Sequence, residues 1–275
     1  MDPTPEFWRD PAMPYAESRR ACHSRTRYKP HSHPTYSIGA VDHGTSRFTG
    51  TNDGPVTLHS GAVVFVPATR VHACNPMPGS AWSYQMLHLD AEWLSNVRRE
   101  YAPIQTPMQP ECAATDPIRI VTEPAVYARF CRLNTLLFSH ADAGDKEAAL
   151  IEFIGECDEA QGLHIDVPAA PERAQRQIMP VLDLLRRDQA CDTSLTELAR
   201  TAGVSRYRLI RVFRAATGMT PHAWILNRRV NLARERIRSG ADIAGVAQDL
   251  GFADQAHFQR VFKAHTGITP GGFRR

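Results

Sequence analysis

Two groups of residues in this 275-residue chain have the types and spacing to do chemistry. The first is a set of histidines: His31-Ser32-His33, His72 and His88. On a strand, His31 and His33 point to one face, and His72 can approach from a neighbouring strand. Three imidazoles suit zinc, iron, nickel or copper. The same groups would serve as hydrogen-bonding walls of a metal-free ligand pocket, or as structural histidines, and the residues leave all three readings open. The second group is cationic and lies near the C-terminus, on a stretch written twice. Val212-Phe213-Arg214-Ala215-Ala216-Thr217-Gly218-Met219-Thr220-Pro221 recurs as Val261-Phe262-Lys263-Ala264-His265-Thr266-Gly267-Ile268-Thr269-Pro270, always 49 residues on.

An internal repeat of that period is a strong organisational signal. Two copies are too few for a solenoid, so they read as two similar helical modules. Each has the grammar of a helix-turn-helix. Ser194 and Glu197 form a capping box, and Leu195, Leu198 and Ala199 follow the period of one buried face. Gly203 sits where the chain must turn. Ser205 is placed to cap a second helix with Leu209, Val212 and Phe213 inside and Arg206, Tyr207, Arg208, Ile210, Arg211 and Arg214 outside. In the second copy Ile243, Val246 and Ala247 make the short apolar face, Gly251 is the turn and Asp254 the cap. There Phe258, Val261 and Phe262 face inward, while Gln255, Ala256, His257, Gln259, Arg260 and Lys263 face out. Arginine can reach guanine and glutamine can reach adenine, so the outward sets suit a duplex.

Residues 178–275 resemble the DNA-binding domain of the AraC/XylS family of transcription regulators. The most specific piece is Gly251-Phe252-Ala253-Asp254-Gln255-Ala256-His257-Phe258-Gln259-Arg260-Val261-Phe262-Lys263, followed by Gly267-Ile268-Thr269-Pro270 and Phe273-Arg274. The resemblance implies two helix-turn-helix units joined by a long helix, about Pro221 to Ser239. It implies recognition helices at about 205–216 and 254–265, entering successive major grooves of double-stranded DNA. The DNA-binding candidates are Arg206, Tyr207, Ile210, Arg211, Gln255, Ala256, His257, Gln259 and Arg260. Ile210 and Ala256 can offer only apolar contacts.

The segment 28–75 resembles the cupin-type ligand-binding domain that many such regulators carry at the N-terminus. His31-Ser32-His33, the strand Gly61 to Pro67 and His72 carry the likeness. Metal-binding cupins add a glutamate three or four residues after the second histidine, where this chain has Tyr36 and Ser37. No cofactor is therefore expected, His31, His33 and His72 being the candidates if a metal binds. The expected ligand-binding residues are His31, His33, Tyr36, His72 and His88. On the run Tyr84 to Leu89, the set Tyr84, Met86 and His88 shares one face and Gln85, Leu87 and Leu89 the other; either set can line the cavity. Trp82 and Arg70 are rim or structural residues.

The elements that must position these groups follow from the rest of the chain. Charge divides it: residues 175–275 hold 17 Lys and Arg against 8 Asp and Glu, leaving 15 against 21 elsewhere. That asymmetry points to a polyanion partner for the C-terminal part alone. Residues 1–20 read as a loosely packed arm, 21–92 as short strands between turns, and 93–122 as irregular. Ala125–Ser139 and Lys146–Glu159 read as helices that cover the barrel or, by resemblance, join two protomers. Pro180 is expected in the first turn of the next helix. The six cysteines include no CxxC pair, and no apolar run approaches membrane-spanning length. Reduced thiols, a cytoplasmic location and no membrane partner are expected.

The fold class expected is α+β multidomain, with an N-terminal cupin-like β-barrel plus accessory helices and a C-terminal all-α domain of two helix-turn-helix units. The divisions are 1–115 (arm plus barrel), 116–161 (helical pair), 162–174 (linker) and 175–275 (DNA-binding). The function expected is a ligand-responsive transcription regulator, its expected partners being DNA, a small-molecule effector, RNA polymerase by resemblance, and a second protomer. Activation is favoured over repression, and no enzymatic activity is expected. The competing readings are a metal-dependent cupin enzyme with a DNA-binding appendage and a constitutive DNA binder with a vestigial barrel.

Overall fold

A computed structural model describes residues 4–50, 54–101, 116–158, 162–165, 172–187 and 193–274. They fall into two compact units, Met1–Arg27 with Ser32–Val167, and Tyr28–His31 with Pro168–Arg275.

The described residues of the first unit form ten strands: β1 (Glu6–Arg9), β2 (Ala16–Ser24), β3 (Tyr36–His43), β4 (Thr45–Thr49), β5 (Val56–His59), β6 (Val63–Val66), β7 (Ala73–Pro76), β8 (Trp82–Leu89), β9 (Ile118–Val121) and β10 (Leu163–Ile165). Seven form one sheet in the order β1-β2-β8-β3-β6-β9-β10, and β5-β4-β7 form a smaller one. All the pairings are antiparallel. Among the described residues three helices belong to this unit: α1 (Ala91–Tyr101), α2 (Pro124–Leu137) and α3 (Ala143–Asp158).

The period-2 geometry of a strand explains why the large sheet is apolar on both faces. All four residues of β6 are buried. Val63 and Phe65 join a core with Phe130, Leu133 and Leu137 of α2 and Leu150, Phe153 and Ile154 of α3. Val64 and Val66 point the other way, into a second core with Phe48 and Leu58 of the small sheet. The unit is therefore helices on sheet on sheet. Each large α2 side chain sealed against the sheet contributes about 1.5–3 kcal/mol. The apolar stripes of α2 and α3 are thus spent on covering the sheet.

Three sequence expectations need correction here. Residues 4–20 are not a loose arm, for β1 and the first part of β2 lie in the large sheet, and residues 1–3 are outside the described residues. The charges that hid them are handled locally: buried Glu17 meets Arg9 Nε at 2.7 Å. Residues 93–122 are not irregular throughout, since α1 and β9 fall there; the stretch 102–115 is outside the described residues. Part of the expected linker, Leu163–Ile165, is strand β10 against β9. Gly162 sits just before it, where a Cβ would come within 2.7 Å of Val121 Cγ2, so only glycine allows the approach.

The second unit is helical: α4 (Glu172–Arg187), α5 (Leu195–Thr201), α6 (Arg206–Thr217), α7 (Pro221–Arg238), α8 (Ile243–Asp249), α9 (Gln255–Thr266) and α10 (Pro270–Arg274). Pro180 lies in the interior of α4 rather than its first turn. It is on the exposed side, where water can hydrate the carbonyl that its ring displaces. Ile178, Val181 and Leu185 pack on Leu198, Leu209 and Phe213. Leu195, expected inside, is 36% exposed. No described helix is long and apolar enough to cross a membrane. Cys22, Cys74, Cys131 and Cys157 are free thiols, while Cys112 and Cys191 lie outside the described residues.

Candidate functional site

The cationic helices are set up by their caps. Ser194 Oγ accepts from Glu197 N at 3.2 Å, and Glu197 Oε2 accepts from Ser194 N at 2.8 Å, completing the box. The Ser194 hydroxyl, which donates to Glu197 Oε2 at 2.7 Å, and then the Ser194 N–H favour the ionised Glu197 and lower its pKa. Ser205 Oγ accepts from Arg208 N and starts α6, while Asp254 accepts from His257 N and starts α9. The chain turns before each helix at Gly203 (φ 63°) and Gly251 (φ 69°), a conformation costly for any residue with a Cβ.

Along α6, Leu209 and Phe213 are buried, Ile210 and Val212 are half-buried, and Arg206, Tyr207, Arg208, Arg211 and Arg214 are exposed. Tyr207 is 70% exposed, with the Arg211 guanidinium 5.9 Å from its ring centre. Along α9, Phe258, Val261 and Phe262 are buried, and Gln255, Ala256, Gln259, Arg260 and Lys263 are exposed. His257 is half-buried, its ring edge-on to Phe252 at 5.7 Å. A large aromatic tyrosine and several guanidiniums stand free on one helix, with amides and a guanidinium on the other.

Helix α7 fixes these two readers in place. Arg228 Nη2 donates to Arg186 O, at the end of α4, at 2.6 Å. Arg229, buried, donates through Nη1 to Gly251 O in the second turn and lies over the Phe252 ring at 5.7 Å. Arg236 pairs with Asp249 at 3.2 Å. Sequence reasoning missed these arginines as structural, because an arginine pattern on a long helix looks the same whether it meets phosphate or carbonyl.

In the first unit, a cleft lies between the two sheets. Its empty space, counted out to its mouth, is about 350 Å³, and Val41, Val64, Val66, His72, Trp82, Tyr84 and Met86 are among its walls. The parity of β8 is settled: Tyr84 and Met86 face the cleft, and Leu87 and Leu89 face the helices. The same parity corrects Tyr36. With Ile38 and Ala40 it belongs to the helix-side core, beneath the Arg98 guanidinium at 5.0 Å. Ser37 and Gly39, one residue on, take the cleft side.

The other expected ligand residues divide. His72 is on the cleft wall. His33 is buried behind it, 5.1 Å from the His72 ring centre and 5.0 Å from that of His88. Thr35 O accepts from His33 Nδ1 at 2.8 Å, and Arg70 O accepts from His72 Nδ1 at 2.9 Å. Each carbonyl can only accept, so each Nδ1 carries the proton. Burial lowers the His72 pKa, with the Arg70 carbonyl opposing it in part. His31 lies in the Tyr28–His31 stretch of the second unit, its Nδ1 on Lys29 O at 2.8 Å. Sequence reasoning left Trp82 as a rim or structural residue; it is buried, and its indole nitrogen has no hydrogen-bond partner among the described residues. Cys74, also on the wall, is held as a thiol, burial pushing its pKa up to about 12.

Comparison with known proteins bears on both units. Residues 14–154 match the family described as AraC-like ligand binding domain, and residues 198–275 match a helix-turn-helix domain family. The uncharacterized HTH-type transcriptional regulator YbfI of Bacillus subtilis is 22% identical over 84% of this chain and 81% of its own length. The HTH-type transcriptional regulator RipA of Corynebacterium glutamicum is 36% identical over 39% of this chain, and the match spans only 32% of RipA. The apo structure of ToxT from Vibrio cholerae superposes with a TM-score of 0.58 at 13% identity, covering 94% of this chain and 97% of ToxT. A ToxT structure bound to unsaturated fatty acid gives 0.55 at 12% identity, over 100% and 96%. At such identity these likenesses concern the fold, which is the α+β arrangement of a strand-built ligand-binding unit and a helical DNA-binding unit. With the ligand-binding family spanning more than half of the chain and the duplicated helix-turn-helix following it, the chain belongs to the AraC family of transcriptional regulators.

Proposed function

We propose that this regulator is an effector-responsive activator that binds specific DNA sequences through α6 and α9. The observation that supports this most is a pair of capped helices, each with an inward aromatic face and an exposed polar face, in a cationic unit. Arg206, Tyr207, Ile210 and Arg211 read one half of the site. Gln255, Ala256, His257, Gln259 and Arg260 read the other. Arginines read guanine or hold phosphate, glutamines read adenine, and Ile210 and Ala256 pack on thymine methyls. His257 contributes through its exposed edge, since its other side rests on Phe252.

The effector occupies the cleft between the sheets and acts by preferring one arrangement of the protein over another, because binding both equally would shift nothing. A homodimer and recruitment of RNA polymerase complete the proposal. The test is operator binding by the full chain at increasing salt, on a site selected from random duplexes. Affinity should fall steeply and linearly on a log–log plot, as phosphate contacts release counterions. Salt-insensitive or undetectable binding would remove the reading.

A further inference from the structure

We infer that Tyr28–His31, a short stretch of the connection between β2 and β3, clamps the C-terminal end of α9 and so positions the second DNA-reading helix. This rests on α9 reading DNA. The duplication supplies its own control. Both reading helices end on a left-handed glycine, Gly218 (φ 77°) after α6 and Gly267 (φ 82°) after α9. The glycine N–H donates to Arg214 O at 2.9 Å in the first copy and to Lys263 O at 2.8 Å in the second. Matching caps would leave the two ends equally open. Instead Ala215 and Gly218 are exposed, whereas Ala264 is half-buried and Gly267 buried.

What covers the second end is Tyr28–His31, which belongs to the helical unit although β2 and β3 flank it in the chain. Tyr28 is buried, and a Cβ on Gly267 would come within 2.6 Å of its hydroxyl oxygen. The phenol therefore fills the space that a side chain at 267 would take. The Lys29 N–H donates to Ala264 O at 3.0 Å. That carbonyl is among the last four of α9, the ones a helix cannot satisfy from within. His31 Nδ1 donates to Lys29 O at 2.8 Å, folding the short stretch on itself. Arg260 and Lys263, both exposed, occupy the turn just before the clamp. Fraying at this end would carry those cations out of register with a duplex. Residues 25–27 join the clamp to β2 and residues 32–35 join it to β3. Tethers that short pass a shift of either strand end on to the clamp. The strand-built unit thus has a mechanical line to the second reader.

Hydrogen exchange on the full chain, without DNA, tests the clamp. Tyr28→Ala should speed exchange of the amides at 264–268 about tenfold, the size of one hydrogen bond. The matching amides at 215–219, after α6, should not change. Tyr28→Phe, which keeps the ring, should restore most of the protection. Operator variants changed at single base pairs give the second readout. Tyr28→Ala should flatten preference at the base pairs read by α9 and keep it at those read by α6, a split that general destabilisation would not produce. A tetraglycine insert after Arg25 keeps every clamp residue and only slackens the tether. It should speed exchange at 264–268 about threefold, as expected from a longer loop, and it keeps the test open even if Tyr28→Ala does not fold. Unchanged exchange at 264–268 in Tyr28→Ala would overturn the clamp. Equal flattening at both sets of base pairs would overturn its positioning role, and unchanged exchange in the insert would overturn its link to the strands. DNA binding is decided separately by the salt titration, so the clamp and the reading role of α9 fail independently.

Discussion

Arg229 offers the sharpest quantitative prediction. Replacing it by methionine keeps the apolar stem and removes the charged head. The structure assigns that head two tasks: Nη1 satisfies Gly251 O at the second turn, and the guanidinium covers Phe252 at 5.7 Å. Leaving a half-buried carbonyl unsatisfied costs about 1–3 kcal/mol. Losing a partly desolvated cation–π contact costs about 0.5–1 kcal/mol more. Arg229→Met should therefore destabilise the second module by about 1.5–4 kcal/mol. The neighbouring Arg236→Ala breaks a bridge to an exposed Asp249 and should cost under about 1 kcal/mol. Hydrogen exchange on the full chain resolves where the loss falls. Amides of α8 and α9 should lose protection in Arg229→Met, while those of α6 should not. DNA affinity should drop too, although Arg229 touches no base in the proposed mode. A variant within about 0.5 kcal/mol of wild type, inside the range of neutral surface changes, would refute the pinning role.

Other outcomes follow from the same geometry. Gly203→Ala meets open space, with nothing within 4 Å of the new Cβ, so its cost is backbone strain alone. About 1–2 kcal/mol is expected from the left-handed φ of 63°, and denaturant unfolding would read it. His72 is buried with its pKa lowered from 6.5. The unfolded chain then binds a proton that the folded one refuses, so stability should fall as pH drops below about 6.5. His265 is lowered by burial as well and adds to the same window. A His72→Phe variant should show a flatter melting-temperature profile between about pH 5 and 7 if this linkage operates, and an unchanged slope would count against it.

Much of the second unit was legible in the sequence because its signals are local. The capping box at Ser194 needs only a serine and a glutamate three residues apart. The turns at Gly203 and Gly251 need only a residue that tolerates positive φ. Two caps escaped notice, Thr220 before α7 and Asp242 before α8, though both follow the same local chemistry. The sheet was harder, because its signals depend on partners far along the chain. Strand β2 reads as polar, Glu17, Arg19 and Arg20 breaking the pattern, and only its pairing with β8 and the Arg9–Glu17 contact make it a strand. Among its described side chains helix α1 buries Leu94 and Val97, which is too thin a stripe to stand out. The cleft shows the limit best. Alternation told that Tyr84 and Met86 share a face, but not which face was inside. The histidine spacing drew attention to His31 and His33, whereas the wall carries His72 among valines, Leu58, Trp82 and Tyr84, residue types that look like any core.

The central claim is that two helices of one chain read two separate stretches of one duplex. The most direct measurement is the affinity of the full chain, Arg211→Ala and Arg260→Ala for every single-base-pair variant of the selected operator. Each substitution should weaken binding by about 1–3 kcal/mol and erase preference at its own base pairs. The two affected sets should lie about one helical turn, some 10 base pairs, apart. Uniform weakening at all positions, or no change in either variant, would contradict the account.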